Sequence, residues 1–247
     1  MKKLLVSLLC LFILMPTFVF AEEIKIDDTD LTIDLDENVW YVFTRDNIKD
    51  YDYLSRFNLT YEYMNNVFDE NNAYLDAYTF WDEDDNSGLE LFVIKVPNNV
   101  IINLNLYDEK EVMSIFDDLA KEKNIKDYNI YRNNNSVFGH LSYFDSNLYL
   151  EEYVTVINGD TYSIKFQSSV PFDSAKISFV ENIMKSVSFD YKIREDEKVT
   201  ISKKGESIWI SALKGAVIGG LVGGVSSVIY TYVFKKKEKN NKNIKNN

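Results

Sequence analysis

The chain has one cysteine, one histidine, three prolines and nine glycines in 247 residues. A single cysteine excludes a disulfide framework and a thiolate zinc cluster. So few prolines and glycines exclude collagen-like and linker-dominated architectures. Ser-His-Asp, Cys-His and HExxH arrangements each need a positioned imidazole, and His140 is the only one on offer. It stands in Val137-Phe138-Gly139-His140-Leu141 without a neighbouring motif, so it reads as a structural or surface histidine. A glycine-rich phosphate loop is missing too. Gly88, Gly139 and Gly159 are the only glycines between residues 22 and 190, each near a turn or strand, which leaves nucleotide binding by that geometry unsupported. Cationic surface is scarce: 27 Lys+Arg face 39 Asp+Glu, a net charge of −12 that argues against a nucleic-acid binder.

Apolar material is plentiful. Hydrophobic residues make up 46% and aromatics 15%, enough to bury a substantial core and to exclude general disorder. The length suits one domain or two. Residues 1–21 read Met-Lys-Lys, an apolar run from Leu4 to Leu14, then Pro16 and Val19-Phe20-Ala21. A basic start, an apolar centre and a small residue at the end predict a cleaved signal peptide rather than a retained anchor. Cys10 lies inside the apolar run behind Leu9, a poor site for lipidation, so the mature chain is expected to lack cysteine.

A second apolar segment, Ile208–Phe234, predicts a transmembrane helix. The 20 uncharged residues from Gly215 to Phe234 suffice to cross a hydrocarbon core of about 30 Å. Trp209 at one end and Tyr230 and Tyr232 at the other suit the interfaces, and Lys235, Lys236 and Lys237 follow at once. Positive charge after the span places the C-terminus in the cytoplasm, in agreement with a signal peptide that exports the N-terminus. Small residues are ordered within the span. Ser211, Gly215, Gly219, Gly223 and Ser227 form one four-residue row, and Ala212, Ala216, Gly220 and Gly224 the next. The two rows share one helical face, which admits a second helix closely, either a copy of itself or another membrane partner. Glycine is also simply common in membrane helices, the plainer account of the same residues.

The charge is divided unequally. Residues 22–205 carry 18 Lys+Arg against 37 Asp+Glu, or −19, whereas the tail 235–247 carries six Lys and one Glu, or +5. The expected organisation is a signal peptide at 1–21, an extracytoplasmic domain at 22–190 and a polar tether at 191–207. The span at 208–234 and a basic cytoplasmic tail at 235–247 complete it.

Within 22–190 the patterning predicts α+β. Leu31, Ile33 and Leu35 alternate with polar residues and lead to Val39–Phe43, suggesting an N-terminal hairpin. Leu54, Phe57, Tyr61, Met64 and Phe68 suggest one helix over 54–68. Residues 74–81 and 89–96 read as a hairpin, and Asp108 with Glu111 as a capping box before a stripe of Val112, Ile115, Phe116 and Leu119. Four more strands are expected at 128–132, 137–144, 149–157 and 161–167, with Asn158-Gly159-Asp160 the clearest turn, then a closing helix with Ile177, Val180, Ile183, Met184 and Val187. Strands in hairpins with so few helices point to an antiparallel sheet with helices on its faces.

The segments LTIDLDENVWYVFTRD (31–46), LEEYVTVINGDTYSIKFQSS (150–169) and ISFVENIMKSVSFD (177–190) resemble the opening strands, closing hairpin and last helix of the Mog1/PsbP-like α/β/α sandwich. The resemblance spans roughly 30–190, with Asp36-Glu37-Asn38 where that group commonly has a proline-glycine turn. It implies a fold and non-catalytic binding, and transfers no functional residue.

No catalytic, cofactor-binding or metal-ligating residue is assigned. Asp82-Glu83-Asp84-Asp85-Asn86-Ser87-Gly88 is the one cluster resembling a hard-cation site; its spacing fails the EF-hand pattern, and a solvated hairpin loop is the simpler reading beside a weak calcium site. Tyr51, Tyr53, Tyr61, Tyr63, Tyr74, Tyr78 and Trp81 could line a carbohydrate or peptide face, although aromatics favour strands in any case. The Lys/Asn/Ile/Tyr-heavy composition looks bacterial. The leading expectation is therefore a single-pass membrane protein of the bacterial cell envelope whose outer domain binds a protein or envelope ligand. The alternatives are a hydrolase acting through paired carboxylates and an accessory subunit of a small oligomeric membrane assembly.

Overall fold

The computed structural model describes residues 22–82, 87–97, 103–133 and 136–192, together with residue 213. Ten strands occur among them: β1 Glu22–Lys25, β2 Leu31–Leu35, β3 Tyr41–Thr44, β4 Ala73–Asp82, β5 Ser87–Pro97, β6 Asp127–Arg132, β7 Val137–Asp145, β8 Leu148–Ile157, β9 Asp160–Ser168 and β10 Ser188–Phe189. Four α-helices join them: α1 Tyr51–Ser55, α2 Tyr61–Asn71, α3 Glu109–Lys123 and α4 Ser174–Ser186. Strands β3-β4-β5-β9-β8-β7-β6 form one sheet and β1-β2-β10 another. Every pairing is antiparallel, the α+β architecture expected of hairpin-rich patterning.

Helices and strands divide the two faces of the large sheet. Leu75, Leu91, Val93, Ile164 and Phe166 face the small sheet and α4, meeting Leu31, Ile33, Val180 and Met184 in one cluster. On the opposite face Phe43, Phe92 and Ile94 pack under α1 and α2 through Leu54, Met64 and Phe68. Farther along the same face Leu141, Val154 and Val156 pack under α3 through Val112, Ile115, Phe116 and Leu119.

Local sequence accounts for the element ends. At Asn158-Gly159 both residues have positive φ, 51° and 87°, which a two-residue hairpin turn of the right twist demands, and Ile157 pairs Asp160 across it. The Asp108 carboxylate accepts from the Lys110 and Glu111 amides while Glu111 returns to the Asp108 amide, so the capping box is formed. Gly139 has a different purpose: a Cβ there would lie 2.1 Å from the Phe116 ring, so only glycine lets α3 seat on β7. At the sheet's β3 edge, the Val42 carbonyl accepts from Tyr53 Oη (2.6 Å) and Asn47 Nδ2 (2.9 Å), which occupies a group that a foreign strand could use. Burial pushes the Tyr53 phenol up to about 12.

Two sequence expectations are corrected. Leu31–Leu35 and Val39–Phe43 do not form a hairpin, because β2 pairs β1 and β10 whereas β3 pairs β4. The chain passes from one sheet to the other at 36–40, where the amides of Val39 and Trp40 both bond back to the Asp36 carbonyl. The helix expected over 54–68 is two helices. Asn58 takes a left-handed φ of 58° and the Thr60 hydroxyl caps α2 from the Tyr63 amide, so the apolar stripe runs through a break. Among the described residues no helix is long and apolar enough to cross a membrane.

Replacing Asp108 with Ala removes the hydroxyl-free acceptor that satisfies two amides of α3. We expect a loss of about 1 kcal/mol, read in urea denaturation as a lower midpoint at unchanged slope.

Candidate functional site

The central strand β9 carries two chemistries. Tyr162, Ile164 and Phe166 face the α4 side, as the alternation requires. Thr161, Ser163, Lys165 and Gln167 face the other way, toward the side that carries α1, α2 and α3. On sequence such a row reads as solvated. In the structure all four are buried, Lys165 with no exposure at all.

Cross-strand register gathers further polar groups around this row. Gln167 lies opposite Glu90, and Lys165 lies between Phe92 and Glu152. Asp76, opposite Phe92, shares the face. Asp76, Glu90 and Glu152 are all buried. Glu152 is held from three sides: Tyr143 Oη donates at 2.6 Å, Ser163 Oγ donates at 2.5 Å, and Lys165 Nζ lies 3.5 Å away. The Gln167 amide donates to Glu90 at 2.7 Å, while its carbonyl oxygen is buried without a hydrogen-bond partner. Burial, then the Glu152 charge and hydrogen bond, hold the Tyr143 phenol far above its ordinary range. Burial and the charges of Asp76 and Glu90 likewise raise that of Tyr63, on the rim at α2. The band is a buried network in which Lys165 offsets the charge of Glu152 and hydrogen bonds hold the carboxylates of Glu152 and Glu90.

A second cluster lies on the other face of β7 and β8. His140 Nε2 is 2.6 Å from Glu151 Oε2, Ser142 Oγ donates to Glu151 Oε1 at 2.8 Å, and the imidazole stacks on Tyr153 at 4.3 Å between ring centroids. The order matters. In a serine triad the imidazole sits between hydroxyl and carboxylate; here the carboxylate sits between hydroxyl and imidazole, so the imidazole does not bond the serine. His140 is thus a half-buried, hydrogen-bonded member of the sheet face.

The aromatics named from the sequence separate by burial. Tyr78 is buried, Tyr53 points from α1 onto Phe43 and Phe57, and Trp81 packs edge-on to Phe179 with the Lys176 ammonium over its ring. Tyr74 lies beneath the Arg45 guanidinium. Tyr51, Tyr61 and Tyr63 remain exposed on α1 and α2, at 80%, 52% and 37%. Phe144 and Val39 are the other exposed large hydrophobics among the described residues.

Several expected features lie outside the described residues. They are the tip of the acidic loop at 83–86, the signal segment, the small-residue rows from Ser211 to Ser227, and the interface residues Trp209, Tyr230, Tyr232 and Lys235 to Lys237. The buried carboxylates and Lys165 were not singled out from the sequence. Alternation with Tyr162, Ile164 and Phe166 gives Lys165 the pattern of a solvated face, so short-range sequence carries no signal of its burial.

No family model matches the chain, and no curated protein matches it. Among solved structures, it is similar to the solution structure of cyanobacterial PsbP (CyanoP) from Synechocystis sp. PCC 6803. The two share 8% identity over 71% of this chain and 95% of that one, with a TM-score of 0.39.

The buried band makes two tests. Lys165→Met leaves Glu152 buried without its cation and should cost about 3–5 kcal/mol, whereas Lys165→Met with Glu152→Met should recover at least half of that in urea denaturation. The Tyr143 phenol, raised in the folded state, contributes stability that is complete below the ordinary tyrosine value near 10 and is lost as pH rises above it. Tyr143→Phe should therefore flatten the alkaline fall in stability, measured by urea midpoints from neutral pH upward.

Proposed function

We propose that the chain is a membrane-anchored binding protein of the cell envelope, its α+β domain outside and its basic tail in the cytoplasm. The single observation that supports a binding role is the placement of exposed tyrosines. Three of the five exposed large hydrophobics among the described residues are Tyr51, Tyr61 and Tyr63, all on α1 and α2. Tyrosine offers broad contact area at little rotamer cost and is favoured where proteins meet. The core beneath α1 has no need of the Tyr51 and Tyr61 rings. Tyr53 of α1 already packs against Phe43 and Phe57 with edge-on contacts of 5.2–5.7 Å among the three rings.

The reading is non-catalytic. Ser142, Glu151 and His140 stand in an order that does not activate a nucleophile, and Glu152 spends both its oxygens on Tyr143, Ser163 and Lys165. Anchoring rests on the sequence pattern of 208–237: an apolar run, interfacial aromatics and then lysines. Assembly through the small-residue face of the span belongs to the same reading.

Cross-linking in native membranes should capture a partner with wild-type chain. Capture should fall at least about tenfold when Tyr51 and Tyr61 are both changed to Ala, which removes two rings that no core contact requires. Capture of the chain alone, or an unchanged yield in the variant, overturns the binding surface. Orientation is read separately. With Cys10 changed to Ser, a cysteine introduced at Asn247 should resist a membrane-impermeant maleimide in intact cells, and one at Tyr51 should react.

A further inference from the structure

Leu213 belongs by sequence to the expected membrane segment, two residues before the uncharged run that starts at Gly215. In the structure it is helical and fully buried. Its neighbours are not lipid-facing groups but the apolar cluster beneath α3, which includes Tyr107, Val112, Phe116, Leu141 and Val154. A leucine at the head of a membrane span has no hydrophobic reason to leave the bilayer surface unless a protein pocket offers equal burial. The cluster offers it, at the place where α3 crosses β7 and β8.

We infer that the outer end of the C-terminal segment docks on its own domain, with Leu213 as the plug and the α3-side cluster as the socket. The occupant is this chain. Charge favours the same pairing: Lys214 is the only charged residue between Ile208 and Phe234, and the domain at 22–190 that receives its neighbour carries 13 Lys+Arg against 34 Asp+Glu, or −21. The first turn of α3 presents Asp108, Glu109 and Glu111, and Asp108, Glu109, Lys110 and Met113 line a cleft of about 610 Å³ at that end of the helix. The docking deepens the anchored-module reading and relies on it for one consequence only. If the segment spans the membrane from Gly215 onward, the α3 side of the domain is held toward the bilayer.

The test uses the full chain in native membranes with an aliphatic diazirine amino acid placed at 213. Irradiation should link residue 213 to peptides from 103–123 or 137–157. Mixing isotopically labelled and unlabelled chains separates a link within one chain from a link between copies. Adducts to lipid alone, to another protein, or only between copies overturn the inference. Leu213→Asp provides a second reading by hydrogen exchange. The α3 amides should exchange at least about tenfold faster in the variant, with the amides of β4 and β5 unchanged, and equal α3 protection overturns the docking. Carbonate extraction of the same membranes reports anchoring independently, so a failed cross-link in firmly anchored protein rejects the docking and spares the anchor.

Discussion

The ion pair between Lys165 and Glu152 is the constraint around which the large sheet is arranged. Both side chains are fully buried at the middle of a seven-stranded sheet. Two bare charges there would be very costly, so every neighbour that can donate or neutralise is recruited. Tyr143 from β7 and Ser163 from β9 complete the Glu152 carboxylate by donating to its two oxygens. The network ties β9, β8 and β7 in one register, because a slip of one residue would turn Lys165 into the apolar face beneath α4.

That arrangement explains why the two faces of one sheet are built differently. The α4 face is a continuous apolar cluster, joined to the small sheet through Leu31 and Ile33. The opposite face is split into two apolar clusters, one under α1 and α2 and one under α3, with the polar row of β9 between them. Such a split core gains less from apolar burial than a continuous one. It gains definition instead, since α2 and α3 are each held to their own end of the sheet. The exposed tyrosines of α1 and α2 and the socket for Leu213 beneath α3 lie on this divided face.

Much of the fold is legible in the chain. The hairpins at β4–β5 and β8–β9, the capping box at Asp108 and the stripe on α3 follow from short-range rules, and all are present. The partner of β2 was not legible, because alternation at Leu31, Ile33 and Leu35 states that a strand has one buried face and says nothing about which strand it joins. The break between α1 and α2 was hidden for a similar reason: Leu54 and Phe57 keep helical spacing with Met64 and Phe68 although the chain turns at Asn58. His140 read from its isolation as a structural or surface residue; its stacking on Tyr153 and its bond to Glu151 needed the register of β7 against β8.

By itself the sequence determined most element types and the antiparallel α+β class, because these depend on residues close together along the chain. Only the tertiary structure decided which polar residues are buried. Thr161, Ser163, Lys165 and Gln167 alternate with apolar residues as an ordinary solvated face does, yet β5 and β8 flank them and both sides of the sheet are covered. Burial is a property of what packs against a face, and that is set by residues far away in sequence. The same holds for Leu213: the apolar pattern around it in the chain says nothing of the cluster it joins in space.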